Sequence, residues 1–249
     1  MPSRRQFVST VGAGIPAAAA QAVLSRPMRV KAVAFDAFPI LDSRPVFALV
    51  KHLFPEKGAE LCNLWRTRQF EYMWLRTLSG HYRDFWSVTE DALAFAAKAV
   101  QVELKNDSHS RLMDAWLRLK CWPDAPAALR VLKNSDLNLV FLSNMTAKML
   151  QSGIRNSGLE DLFDQVFSTD RVRVYKPAPR AYRMVLDAYR LQPQEVVFAA
   201  FAGWDAAGAK RFGYRTFWVN RQNQPVEELG IKPDATGATL DDLVSYVLS

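Results

Sequence analysis

Two aspartates, a lysine and a serine–asparagine pair are the residues of this 249-residue chain whose types and spacing could do chemistry. Asp36 closes the apolar run 29–35, and Ser143-Asn144 closes the run Leu139–Leu142. Lys176-Pro177 sits in a loop ahead of a helical stretch, and Trp204-Asp205 follows the run Val196–Ala199. Any one of these is weak alone, since Asp and Asn routinely end strands and cap helices. Four such ends in succession would bring a carboxylate, a hydroxyl with an amide, an amine and a second carboxylate into one crevice. These are groups for displacement and acid–base chemistry. A net charge of +7, spread along the chain, suits a small anionic substrate.

The elements that must position them alternate. Apolar runs at 29–35, 139–142, 165–167, 196–199 and 216–219 are separated by helical patterns at 125–132, 146–156, 179–189 and 206–212. That order predicts an α/β fold, a Rossmann-like, doubly wound parallel sheet that binds ligands at the carboxyl ends of its strands. Thr216–Val219 reads as the last strand. Residues 45–120 show no convincing strand but helical stretches near 59–78, 90–100 and 110–119. The expected organisation is therefore a core of 28–43 and 123–249, interrupted after its first strand by a helical cap of 44–122.

Composition narrows the function. The chain is 49% hydrophobic and 23% charged, which excludes a disordered or fibrous protein. Two cysteines and three scattered histidines leave no thiolate metal site and little room for a His-ligated metal or a Ser-His relay. No basic run or arginine-aromatic block is present, so nucleic acid is not an expected partner. Residues 1–26 read as an address. Ser3-Arg4-Arg5-Gln6-Phe7-Val8 is a twin-arginine pattern, followed by a broken apolar stretch and a small-x-small site at Ala20-Gln21-Ala22. This resembles a Tat-type export signal and implies the Tat machinery as a partner and a periplasmic location.

The motifs themselves resemble those of the haloacid dehalogenase superfamily, and within it the L-2-haloacid dehalogenases. Phe35-Asp36-Ala37-Phe38 is similar to the nucleophile motif, Leu142-Ser143-Asn144 to the second, and Val174-Tyr175-Lys176-Pro177 to the third. Gly203-Trp204-Asp205 is similar to the fourth, and Leu64–Arg76 to the cap helix that carries a halide-binding arginine. The resemblance implies that Asp36 attacks C2 of a 2-haloacid and forms an ester, while Arg66 stabilises the departing halide in a desolvated pocket. It implies that Ser143 and Asn144 hold the substrate carboxylate, and that Lys176, paired with Asp205, keeps Asp36 ionised. Tyr182 supports that network at the substrate site, and Phe38, Phe85 and Trp204 form an apolar wall. No cofactor is implied, and a homodimer is one assembly the resemblance leaves open. Phosphatases of the superfamily place a second aspartate beside a magnesium where this chain has Phe38. A phenylalanine can neither protonate a leaving group nor help hold a cation, whereas halide leaves without a proton.

Three stretches depart from the family pattern. Pro39-Ile40 stands for Gly-Thr, Ala200-Phe201-Ala202 for Ser-Ser-Asn, and Thr67 for a glutamine. Losing one oriented donor can cost about a hundredfold in rate. Two readings therefore follow. One is a metal-independent hydrolase that converts small L-2-haloacids to 2-hydroxy acids. The other is an impaired relative that binds a small carboxylate in the same crevice.

Overall fold

A computed structural model describes residues 29–249, so the leader expected over 1–26 lies outside the described residues. In chain order the elements are β1 (Ala32–Phe35), α1 (Ala37–Ile40), β2 (Leu41–Asp42), α2 (Arg44–Leu53), α3 (Gly58–Leu78), α4 (Phe85–Ala99) and α5 (Asn106–Ala115). They continue as β3 (Lys120–Cys121), α6 (Ala125–Lys133), β4 (Asn138–Ser143), α7 (Ala147–Ser157), β5 (Gln165–Ser168) and α8 (Pro179–Tyr189). β6 (Val196–Ala200), α9 (Gly203–Phe212), β7 (Arg215–Val219), β8 (Ala235–Gly237) and α10 (Leu240–Leu248) complete the chain.

Six strands form one sheet in the order β5-β4-β1-β6-β7-β8, every pair parallel. β1 is apolar throughout because both of its faces are covered. Val33 and Phe35 enter one core, while Ala32 and Ala34 enter the other beside Tyr182, Ala206 and Ala209 of α8 and α9. From β1 the chain first builds towards β4 and β5, then returns to build β6, β7 and β8 on the other side. The order therefore reverses at β1, and the crevice this creates opens at its carboxyl end, where Asp36 stands.

The helical stretch leaves and rejoins the core through a two-stranded ladder. Leu41 pairs with Cys121 and Asp42 with Lys120, so α2 to α5 lie between neighbouring backbones. α3 and α4 pack as a pair around Trp65, which is buried. Its indole N–H donates to Thr89 O at 2.8 Å, and Gln69 Nε2 donates to Thr89 Oγ1 at 2.7 Å. Trp116 meets Phe47, Trp65, Phe85 and Phe38 edge-on, joining three of the insert's helices to the turn after β1.

Several boundaries differ from expectation for local reasons. α4 begins at Phe85 rather than near 90 because Asp84 caps it, accepting from the Ser87 N–H at 2.8 Å. α5 lies four residues earlier than its pattern suggested, and α2, with proline in its first turn, carried no separate expectation. Thr216–Val219 is not the last strand. β8 pairs with β7 beyond it, held short by the capping box of Thr239 and Asp242 that starts α10. A three-residue strand is too brief to show alternation.

Trp65→Ala should destabilise the protein by about 3–5 kcal/mol, through a cavity and the lost indole bond to Thr89 O. Urea unfolding measures this, and a loss under about 1 kcal/mol would mean that the α3–α4 pair is held elsewhere.

Candidate active site

Asp36 stands one residue beyond β1, and its backbone N–H donates to Ala199 O at 3.0 Å, extending the β1–β6 ladder by one rung. Its carboxylate gathers three donors. Oδ1 accepts from Lys176 Nζ at 2.9 Å and from Ser143 Oγ at 3.2 Å, while Oδ2 accepts only the Phe38 N–H at 3.4 Å. Oδ2 is thus the less engaged oxygen. The Ser143 hydroxyl is itself aimed by the Met145 N–H, 3.3 Å away.

Lys176 is 1% exposed and forms ion pairs with Asp36 and with Asp205. Burial alone would lower its ammonium, but the charges of Asp205 and Asp36 outweigh that and hold it above the ordinary lysine value. Asp205, in the first turn of α9, is pushed up to about 6 by burial, against the pull of the Lys176 charge. Its other oxygen accepts from Tyr182 Oη at 2.6 Å. Burial and the neighbouring Asp205 drive the Tyr182 phenol well above its usual range, so it stays protonated as a donor. Gly208 makes this approach possible: a Cβ there would stand 2.6 Å from Tyr182 Oη and 2.7 Å from Pro177 Cβ.

A cleft of about 830 Å³ opens over Asp36, between the carboxyl ends of the strands and the helical insert. Ser143 and Asn144 share its floor with Asp36, and Phe38, Phe85 and Trp204 line its sides. The Asn144 Oδ1 is engaged by the Lys176 N–H at 2.9 Å, whereas its Nδ2 has only the Met73 sulfur, at 3.7 Å. Gln69, Phe70 and Met73 share the α3 face that carries Arg66, one helical turn apart, and all four line the cleft.

Two expectations need correction. Arg66 is not desolvated. It is exposed at the cleft mouth, its Cζ 5.2 Å from the centre of the Phe47 ring, because this edge of the insert faces solvent. Tyr182 does not reach the substrate space. Together with Lys176 and Asp205 it lies behind Asp36, fully buried under α9; its hydroxyl meets Asp205 and its ring packs against Phe198, Phe212 and Tyr214. Sequence reasoning also missed residues. Trp116, Phe201 and most of the segment 220–228, Arg221 included, line the cleft, yet no spacing or motif marks them. Of the altered positions, Ile40 and Ala200 are buried in the two cores, and Ala202 stands at the N-cap of α9.

The family model of haloacid dehalogenase-like hydrolases matches residues 30–213. The chain is similar to (S)-2-haloacid dehalogenase 2 of Pseudomonas sp. (strain CBS-3), 37% identical over 86% of this chain and 94% of that protein. It is also similar to the (S)-2-haloacid dehalogenase of Pseudomonas sp. (strain YL), 39% identical over 82% of this chain and 89% of the relative. Among solved structures, the L-2-haloacid dehalogenase of Xanthobacter autotrophicus with chloropropionic acid covalently bound superposes with a TM-score of 0.81. It is 34% identical, over 88% of this chain and 99% of that one. A buried lysine between two carboxylates, set at the reversal point of a parallel sheet and roofed by helices, goes with these likenesses: the chain belongs to the haloacid dehalogenase-like hydrolases, in the L-2-haloacid dehalogenase family.

Proposed function

We propose that the protein hydrolyses small L-2-haloacids to 2-hydroxy acids without a metal, using Asp36 as nucleophile. The observation that carries this is the asymmetry of the Asp36 carboxylate. Lys176 and Ser143 hold Oδ1, which leaves Oδ2 with a single weak donor and its lone pairs available to the cleft. Oδ2 attacks C2 from the face opposite the halide, the carbon–halogen bond breaks, and its electron pair leaves on the halide with inversion. Water then cleaves the ester, returning the Asp36 carboxylate and releasing the 2-hydroxy acid and a proton.

The remaining groups divide the work. Asn144 Nδ2 and backbone N–H groups at the floor receive the substrate carboxylate. Arg66 meets the departing halide at the cleft mouth, where the anion passes directly to water. Aromatic walls keep bulk water from competing for the carboxylate. Phe38 occupies the place where a phosphatase of this fold needs an acid, so phosphate transfer is not supported.

Incubating the purified protein with L-2-chloropropionate should give steady chloride release that persists in EDTA and vanishes in Asp36→Asn. A burst of about one chloride per protein would mean that the ester forms but is not cleared. No release from the wild type would favour the carboxylate-binding reading. Strict dependence on magnesium would overturn the mechanism.

The pH profile tests the lysine clasp. Asp205 titrates near 6, so the rate should fall as pH drops through that value and Lys176 loses one of its two anchors. The same group acts oppositely on stability. Folded Asp205 binds its proton more readily than the unfolded chain does, so its burial penalty is complete above about 6 and fades towards 3.8. A rate flat from about pH 8 to about pH 5 would separate Asp205 from catalysis.

The twin arginines Arg4 and Arg5 support Tat-dependent export to the periplasm, and neither Cys62 nor Cys121 is bonded to another cysteine. Replacing both arginines with lysine should trap the precursor in the cytoplasm, seen by fractionation and immunoblotting. An unchanged periplasmic pool would reject the export signal.

A further inference from the structure

α1 is a single turn, and the only carbonyl it satisfies from within is that of Ala37, which accepts from the Leu41 N–H. The carbonyls of Phe38, Pro39 and Ile40 are left without helical partners. Two residues far along the chain take all three. The Trp122 indole N–H donates to Phe38 O at 2.9 Å, the Trp122 backbone N–H donates to Ile40 O at 2.9 Å, and Arg221 Nη2 donates to Pro39 O at 2.9 Å.

The clamp is itself anchored. Arg221 Nη2 also reaches Asp124 Oδ1 at 2.9 Å, and the second oxygen of Asp124 accepts from the Leu240 N–H at 2.9 Å. The Arg221 guanidinium lies 4.6 Å from the centre of the Trp122 ring, and that of Arg44 lies 4.3 Å from it. The Arg221 side chain is 9% exposed, and its Nε is buried without a partner. A charged side chain held there at the expense of an unmade hydrogen bond is placed for its other contacts. Trp122 directly follows β3, where the chain returns from the helical insert.

We infer that Trp122 and Arg221 are positioning residues for Asp36, fixing the nucleophile's turn through its three successive backbone carbonyls. The turn sets the carboxylate because the Phe38 N–H is the donor that orients Oδ2. Ile40 and Pro39 are both buried in this turn, Ile40 bringing no side-chain hydroxyl and Pro39 no N–H, so the restraint on its last three carbonyls comes from outside the segment. The catalytic consequence rests on the dehalogenase reading. The structural one does not.

Hydrogen exchange of the peptide 33–41 tests it on the full mature chain, with Trp122→Phe, which keeps a ring but loses the indole donor, and Arg221→Lys. Trp218→Phe is the matched control, since the Trp218 indole N–H donates to Phe201 O at 2.9 Å between the ends of β7 and β6, away from the 38–40 carbonyls. Exchange in 33–41 should rise about tenfold in Trp122→Phe and Arg221→Lys and stay unchanged in Trp218→Phe. Equal exchange in all three variants, or a rise spread evenly over the whole sheet, would overturn the inference. The rate of first-turnover chloride release should fall about tenfold in the two clamp variants while KM moves less than about twofold. Wild-type rates in both would overturn the catalytic part. A wild type that releases no chloride would count against the dehalogenase reading alone, because the exchange measurement still decides whether the clamp holds the turn.

Discussion

A single ammonium, closed off from water and shared by two carboxylates, sets the terms for everything around it. Burying an ion costs several kcal/mol unless its partners are well placed. Lys176 meets that condition only because β1 and β6 are adjacent and parallel, so that Asp36 and the first turn of α9 emerge side by side. The start of α9 also offers Asp205 the positive end of its dipole. Tyr182 then occupies the Asp205 oxygen that Lys176 leaves open. The α8–α9 layer is thus shaped by charge as much as by apolar contact, down to a glycine where no methyl would fit.

In front of that closed network the cleft has a different character. Aromatic rings alternate with polar side chains along its walls, and its mouth is open to solvent at Arg66. The positions where the family pattern calls for small polar residues have been given to packing: Ile40 faces one core and Ala200 the other. Polar control of the nucleophile has therefore withdrawn to the backbone and to buried groups behind it. Phe201, edge-on to Phe38 with centroids 5.8 Å apart, continues the apolar lining across the gap.

What the sequence made legible follows from the range of each interaction. Asp36, Ser143, Asn144 and Asp205 each end an apolar run or open a helix, Lys176 sits in the loop ahead of one, and the parallel sheet then brings them together. Period and punctuation sufficed for them. β8 and α2 were opaque because three residues cannot display alternation, and the apolar face of α2 sits among other helical segments. The contact between Pro39 and Arg221 spans 182 residues and leaves no local trace. The surroundings of Arg66 were misjudged for a related reason. Helical spacing gives the face a residue occupies, whereas how near that face lies to the rim depends on the neighbouring helices.

The β2–β3 ladder carries a further meaning. Two residue pairs bring the ends of the helical excursion within one strand spacing, about 4.8 Å, of each other. Nothing in the six-stranded sheet requires the excursion for closure. It adds no strand to the six, so their order is set without it, and any roof set on the same two pillars would meet the same aspartate.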